Sequence, residues 1–472
     1  MNQENRPFYG NPEFNDVLHR YQEMLQTGKQ VFFDVYEFEV LIEHFLQTGD
    51  ISNASSVIET GTIQHPGSNN LKLRKVQLLI DQGKYSDAIE ILNVVENYEK
   101  CNYELYLLKG IASNFTGKHT EARVYFAKAL EMSDENRIDT LFSIAANYEN
   151  LNDFNTALGY LEKAHKEDYN NLSVLFELAY CHDRLDDFSN AVKFYNNFLD
   201  IDPFSEITWF NLGIVFSKTN DFDKAVEAFD FVITLNEKYP LAYFNKGNAL
   251  VNSNKYEEAI KAYTEYLPFE ENKAETFCFI GECYERLGKS QQALDYYYKS
   301  LSADPNYSDA IYGIGIIHSI HENFTVSIEY ILKAIAIDPN SSDYWFSLGS
   351  IYSKMKFHDK AIEAYRRSTF LDPYDYESWL NLSEIFYTRN LLSKAIKTLE
   401  EAYSYNSNVA LVNYRLAAFN LLRQNKSEGL MYFQKGIRYN FDDHSDIFKF
   451  YPEASEIKEI WELIKQFNHI KQ

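Results

Sequence analysis

Cysteine, proline, glycine and positive charge are all in short supply in this chain. Its four cysteines, Cys101, Cys181, Cys278 and Cys283, form no C-x-x-C pair. That spacing gives no disulfide framework, and free buried thiols in a reducing compartment are the simple reading. Ten prolines and 18 glycines leave little room for long flexible linkers. No run approaches ~18 consecutive apolar residues, so no membrane-spanning helix is expected. Met1 to Pro7 contain no basic stretch followed by an apolar run, so no secretory leader is expected and the protein is read as cytoplasmic. Basic residues number 45 against 69 acidic ones, a net charge of −24. So negative a surface repels phosphate and argues against a nucleic-acid binder.

What is present is a folded, aromatic-rich chain. Hydrophobic residues make up 45%, too many for a disordered polymer, and 37 Tyr with 35 Phe imply repeated use of large planar side chains. A length of 472 residues would suggest about three globular domains. Periodicity removes that inference. Ala54, Ala88, Ala122, Ala157, Ala191, Ala225, Ala259, Ala293, Ala361 and Ala395 recur 34 residues apart, with one 35-residue step after Ala122. Ser327 and Gly429 fill the two remaining slots. A second series of mostly small residues runs twelve positions upstream: Gly110, Ala145, Ala179, Gly213, Gly247, Gly281, Gly315, Gly349, Ser383 and Ala417. Two small-residue phases imply two helices in close approach, each Cβ-poor spot accepting a neighbour's side chain. Between them the apolar spacing is helical, as in Trp209, Leu212, Gly213 and Phe216 followed by Ala225, Phe229 and Val232. Thr219-Asn220-Asp221 supplies the turn, and Asp-Pro pairs such as Asp304-Pro305 and Asp338-Pro339 close several repeats.

This 34-residue helix–turn–helix pattern resembles the tetratricopeptide repeat. Trp345, Leu348, Gly349, Tyr352, Ala361, Tyr365 and Pro373 carry the motif almost whole, as do Phe277, Gly281, Tyr284, Ala293, Tyr297 and Pro305. Repeats are predicted to begin near residues 35, 69, 103, 138, 172, 206, 240, 274, 308, 342, 376 and 410. The expected organisation is an N-terminal capping segment over 1–34 with a short helix at Asn15–Gln26, twelve repeats over 35–443, and a capping segment over 444–472 with one amphipathic helix at Ser455–Ile470. The resemblance implies an all-α, right-handed superhelical solenoid whose first helices line a concave groove, a form used in that family to hold polypeptide partners.

The same resemblance places position 5 of each first helix on the ligand side. That position reads Phe142, Phe176, Phe210, Phe244, Cys278, Tyr312, Phe346, Leu380 and Tyr414, an aromatic ladder. Asn211 and Asn245 follow at position 6, and Asn248 and Asn252 extend the stripe from Asn245. Rings there could anchor a guest and amides could bond its backbone; the competing reading is that the ladder only packs within each helix pair. The candidate peptide-binding residues are therefore Phe142, Phe176, Phe210, Asn211, Phe244, Asn245, Asn248, Asn252, Tyr312 and Phe346. Glu39, Glu43, Glu149, Glu177, Asp183, Glu282, Glu285 and Glu384 tilt this face negative, so a partner with basic or aliphatic segments is expected. Family members that clamp a terminal carboxylate carry Lys at position 5; here Phe244 stands where that Lys would be, beside Asn248 at position 9.

Catalytic chemistry leaves no trace in the motifs. G-x-x-x-x-G-K-S/T, G-x-S-x-G and H-E-x-x-H are all missing. His318 and His321 stand three apart on a helix but lack a third ligand, and Cys278, Glu282 and Cys283 lack ligand company too, so no metal or cofactor is expected. The function implied is a non-catalytic protein-interaction scaffold or adaptor. The alternative is a regulatory or assembly subunit that associates with itself through its convex or terminal helices.

Overall fold

A computed structural model describes residues 12–471; residues 1–11 of the N-terminal segment and Gln472 lie outside the described residues. The chain is all-α, with no strand among the described residues. A helix at Pro12–Thr27 precedes twelve helix pairs. The first is Val35–Gln47 with Ile51–Gln64 and the last Ala410–Leu422 with Lys426–Tyr439. The intervening first helices begin at Asn69, Tyr103, Arg137, Leu172, Glu206, Pro240, Ala274, Ser308, Ser342 and Tyr376. The helices form two compact bodies, divided between Asn236 and Glu237.

One backbone device recurs at every turn within a pair. A single residue takes a left-handed conformation: Gly49, Gly83, Gly117, Asn152, Asp186, Asn220, Asn254, Gly288, Glu322, Lys356, Asn390 and Gln424. Asn and Asp tolerate this region because a short polar side chain bonds locally, whereas Glu322, Lys356 and Gln424 hold it at a steric cost. The second helix often starts on an Asx cap, as where the Asp153 side chain accepts from the Thr156 amide at 3.1 Å. Between repeats, Asp304, Asp338 and Asp372 each accept the amide two residues on, at 2.9, 3.0 and 2.9 Å, folding the chain around the proline between.

The two small-residue phases mark the tightest packing. The alanines of the downstream series are fully buried, as is Ser327. At the upstream phase, a Cβ on Gly213 would lie 2.7 Å from the Phe229 ring, one on Gly247 2.5 Å from Tyr263, and one on Gly349 2.9 Å from Tyr365. The large residue is in each case on the second helix of the same pair. Small and large thus interlock in most pairs, and this is what the 34-residue repeat encodes; the first two pairs depart, with Ile42 and Val76 in the small slot.

The last repeat is closed differently from the others. Short helical turns at Asp442–Ser445, Asp446–Phe450 and Pro452–Glu456 precede a final helix at Lys458–Lys471. That helix starts three residues later than the apolar spacing from Ser455 suggests, because Pro452 opens a 3₁₀ turn of its own. Ile447, Phe450, Ala454, Ile460 and Ile464 join one core with Tyr414, Phe419 and Phe433 of the last pair. Trp461, on the apolar side by sequence, stays 43% exposed, its ring over Phe448.

Candidate functional site

Interlocking at the small phase sets the geometry of the ladder. With a second-helix ring sixteen residues after the small residue (Tyr195, Phe229, Tyr263 or Tyr365) pressed against Gly or Ala of the first helix, position 5 comes to rest against that ring. Phe176 meets Tyr195 at 5.8 Å between centroids, Phe210 meets Phe229 at 5.8 Å, Phe244 meets Tyr263 at 6.1 Å and Phe346 meets Tyr365 at 5.9 Å. The inner ring is buried and the ladder ring half-buried in every case. The arrangement is therefore a double layer in which each ladder ring packs on the buried ring and keeps part of its surface in solvent; Phe176 also meets Phe198, and Phe244 also meets Tyr266 and Phe279. Tyr312 has Ile331 behind it instead of a ring and stacks on Tyr344 at 4.7 Å, its hydroxyl 2.8 Å from the Ser347 hydroxyl. Phe142 lines a cavity of about 650 Å³ with Arg74, Gln77, Tyr103, Leu107 and Asn147.

The ladder does not continue through every repeat. Cys278 and Leu380 are buried, and Tyr414 is wholly so, donating its hydroxyl to the Asn440 carbonyl at 2.7 Å. In the repeat of Cys278 the ring belongs to Phe279, one residue later, which stacks on Tyr263 at 5.7 Å and meets Phe244 at 5.9 Å. Reading a fixed slot misses this residue; an aromatic directly beside a small thiol was the available signal.

The amides are partly committed to their own helices. Asn211, Asn245 and Asn252 donate to the carbonyls of Ile207, Leu241 and Asn248 at 2.8, 2.8 and 2.9 Å. Asn248 accepts from the Tyr263 hydroxyl at 2.7 Å. A carboxamide has two donors and an acceptor oxygen, so each keeps capacity for a guest. Asn248 and Asn252 line a cavity of about 330 Å³ with Val251, Phe279, Glu282 and Arg286. Phe142, Phe176, Phe210 and Asn211 belong to the N-terminal body, and Phe244, Asn245, Asn248, Asn252, Tyr312 and Phe346 to the C-terminal one.

Acids sit among these groups. Burial, then the neighbouring Glu149, pushes the Glu177 carboxyl up to about 7. Burial, then Asp309 and Glu285, does the same for Glu282, although its surface keeps contact with water that screens part of the effect. Asp183 is satisfied by Lys218 at 2.7 Å.

The three buried thiols, Cys181, Cys278 and Cys283, are poor nucleophiles. Burial raises those of Cys181 and Cys278, and pushes Cys283 up to about 12. His318 stacks on Tyr330 at 5.7 Å, which accounts for its place on the helix as packing. At the far end the chain covers its own last first helix. Arg415, 8% exposed, donates to the Leu380 carbonyl at 3.0 Å, lies 4.2 Å from the Phe450 ring centroid and 3.9 Å from the Asp446 carboxylate. Tyr387 donates to the Phe450 carbonyl at 3.2 Å.

Comparisons with known proteins agree with the repeat geometry. Models described as tetratricopeptide repeat match residues 103–136, 144–206, 210–274, 274–307 and 330–363. No curated protein sequence matches the chain. Among solved structures, a crystal structure of MamA is 25% identical over 34% of this chain and 94% of that one, with a TM-score of 0.31. The Cut9–Hcn1 hetero-tetramer of the APC/C is 14% identical over 92% and 94%, with a TM-score of 0.40. MamA 41-end from Desulfovibrio magneticus RS-1 is 15% identical over 36% and 95%, with a TM-score of 0.33.

Proposed function

We propose that this chain, a tetratricopeptide-repeat protein, acts without catalysis as a protein-interaction scaffold, holding a partner polypeptide along the faces of its first helices. The observation that carries this reading is the double aromatic layer. Phe229 or Tyr263 alone would fill the space against Gly213 or Gly247, yet a second ring, Phe210 or Phe244, packs against it and stays half-buried. A half-exposed ring on a rigid buried one is a preorganised anchor, with little entropy left to lose on binding. The cavity at Asn248, Asn252, Phe279 and Glu282 adds amide and carboxylate groups beside such an anchor. The raised acids Glu177 and Glu282 suit a partner segment with Lys or Arg interspersed with aliphatic residues.

The test is a pull-down with the intact chain and with Phe210→Ala and Phe244→Ala variants, partners being identified by mass spectrometry. Anchor residues in interfaces typically cost about 2 kcal/mol or more when truncated, a loss of roughly thirtyfold in affinity. Partners retained by both variants, with circular dichroism unchanged, would refute the reading. If the variants lost only self-association, seen as a change in sedimentation, the convex-assembly alternative would take its place.

A further inference from the structure

The second helices carry a groove of their own in the C-terminal body. It runs between His358–Leu371 and Leu392–Tyr405, over the first helix Tyr376–Thr388, and encloses about 790 Å³. Trp379, Leu382 and Phe386 floor it. They are only 8, 3 and 4% exposed, so the floor is a solid apolar surface. The Trp379 indole donates to the Pro373 carbonyl at 3.0 Å and its ring stacks on Tyr405 at 6.5 Å, which fixes the floor in place. On the rim Phe370 is 72% exposed.

The charge of this groove is opposite to that of the chain. Arg366, Lys394 and Lys397 line it, against one carboxylate, Glu401. Among the described residues none of the three cations has an ion-pair partner; Arg366 lies 5.8 Å from the Phe386 ring centroid. The same registers in nearby repeats are filled otherwise. Where this repeat has Arg366, others have Tyr298, Leu332 and Glu400. The register of Lys397 holds Asp295, Glu329 and Glu363 in the three preceding repeats, although Lys261 and Lys193 fill it further back. The register of Phe370 holds Ser302, Ala336 and Ser404. Three substitutions away from the local pattern thus converge on one groove, in a molecule of net charge −24 that has no lack of acids with which to pair its cations.

We propose that this groove binds an acidic peptide segment of a partner protein, one apolar side chain seated on the Trp379 floor and its carboxylates held by Arg366, Lys394 and Lys397. Cations alone would attract any polyanion. The fixed apolar floor and the exposed Phe370 ring favour a segment in which a Leu, Phe or Trp lies beside Asp or Glu. This surface is separate from the ladder, so the two sites stand or fall independently.

A random peptide library displayed on phage, panned on the intact chain, tests the proposal. Lys394→Glu/Lys397→Glu and Phe370→Ser serve as parallel baits; all three residues are exposed, and circular dichroism checks the fold. Peptides enriched on the native chain and on neither variant should carry acids next to an apolar residue. Synthetic copies should bind the charge-reversed variant roughly tenfold or more weakly, in keeping with the loss of close charge pairs, and should bind Phe244→Ala unchanged. The proposal is overturned if nothing is enriched over the variants, or if the enriched peptides lack acids. It is equally overturned if poly-glutamate competes as well as the selected peptides, since charge attraction alone would then suffice.

Discussion

Two Gly→Ala substitutions should move stability in opposite directions. Gly247 and Gly159 both lie inside helices, Pro240–Asn252 and Phe154–Glu167. In each, alanine gains about 1 kcal/mol of intrinsic helix propensity. Nothing lies within 4 Å of a Cβ on Gly159, so that gain should appear undiminished. A Cβ on Gly247 would meet three atoms of the Tyr263 ring at 2.5, 2.7 and 2.9 Å. The ring has little room to retreat: Tyr263 is 2% exposed, lies against Phe244 and Phe279, and donates to Asn248 at 2.7 Å. Overpacking of this kind costs about 1–3 kcal/mol. Gly159→Ala is therefore expected to stabilise by ~1 kcal/mol and Gly247→Ala to lose up to ~2 kcal/mol, a gap of ~1–3 kcal/mol. Repeat arrays unfold locally, so the fitting assay is urea denaturation followed by hydrogen exchange mass spectrometry, read over residues 240–266 for one variant and 137–167 for the other. Pairing Gly247→Ala with Tyr263→Leu should cost less than the two losses added, because leucine vacates the space. Equal stabilisation by both alanines, or simple additivity in the pair, would refute the interlocking of small and large residues within the pair.

Two further outcomes follow from charge. The raised Glu177 carboxyl, at about 7 in the fold against 4.5 as its ordinary value, keeps its proton in the native state where the unfolded chain has released it. The native state then binds more protons, so its contribution to stability falls as pH rises from about 4.5 to about 7. Glu177→Gln should raise the melting temperature more at pH above 7 than at pH near 5, and an equal shift at both would contradict the assignment. At the closed end, Asp446→Ala leaves Arg415 buried beside Glu384 alone, at 3.4 Å. Removing one partner of a buried pair costs about 3 kcal/mol or more, and here the loss should be local. Limited proteolysis should then cut within 441–457 much faster than in the native chain; unchanged protection would show that the apolar contacts of Ile447 and Phe450 suffice alone.

The repeat was legible because its physics is local and periodic. Small residues at two phases, a large residue facing the upstream one, and Asn, Asp or Gly at most turns are sequence-level signals of contacts made inside one pair, so Ala225, Gly213 and Asn220 could be read directly. The site was legible only in part. Phe210 and Phe244 stand in a slot that the pattern defines, but which ring edge meets solvent depends on the residue behind it. Phe279 shows the limit: a thiol at Cys278 moves the ring one residue along the helix, and no fixed register follows that. The closing segment was less legible still. No period marks Arg415 or Asp446, because they meet only where the chain turns back upon the last pair. The groove over Trp379 likewise emerges from three repeats compared with their neighbours, when no single repeat looks unusual.

The backfolded tail has a bearing on polymerisation. A stack of like modules ends in a surface shaped to receive another, and a second molecule could supply it. Here Ile447, Phe450 and Ile460 take up that terminal surface, joining Tyr414, Phe419 and Phe433 in one core. Chains relieved of residues 441–471 would offer a vacant apolar end, and because Pro12–Thr27 packs its Tyr21 into the core of the first pair at the other end, pairing of two such ends in a closed dimer is the expected outcome.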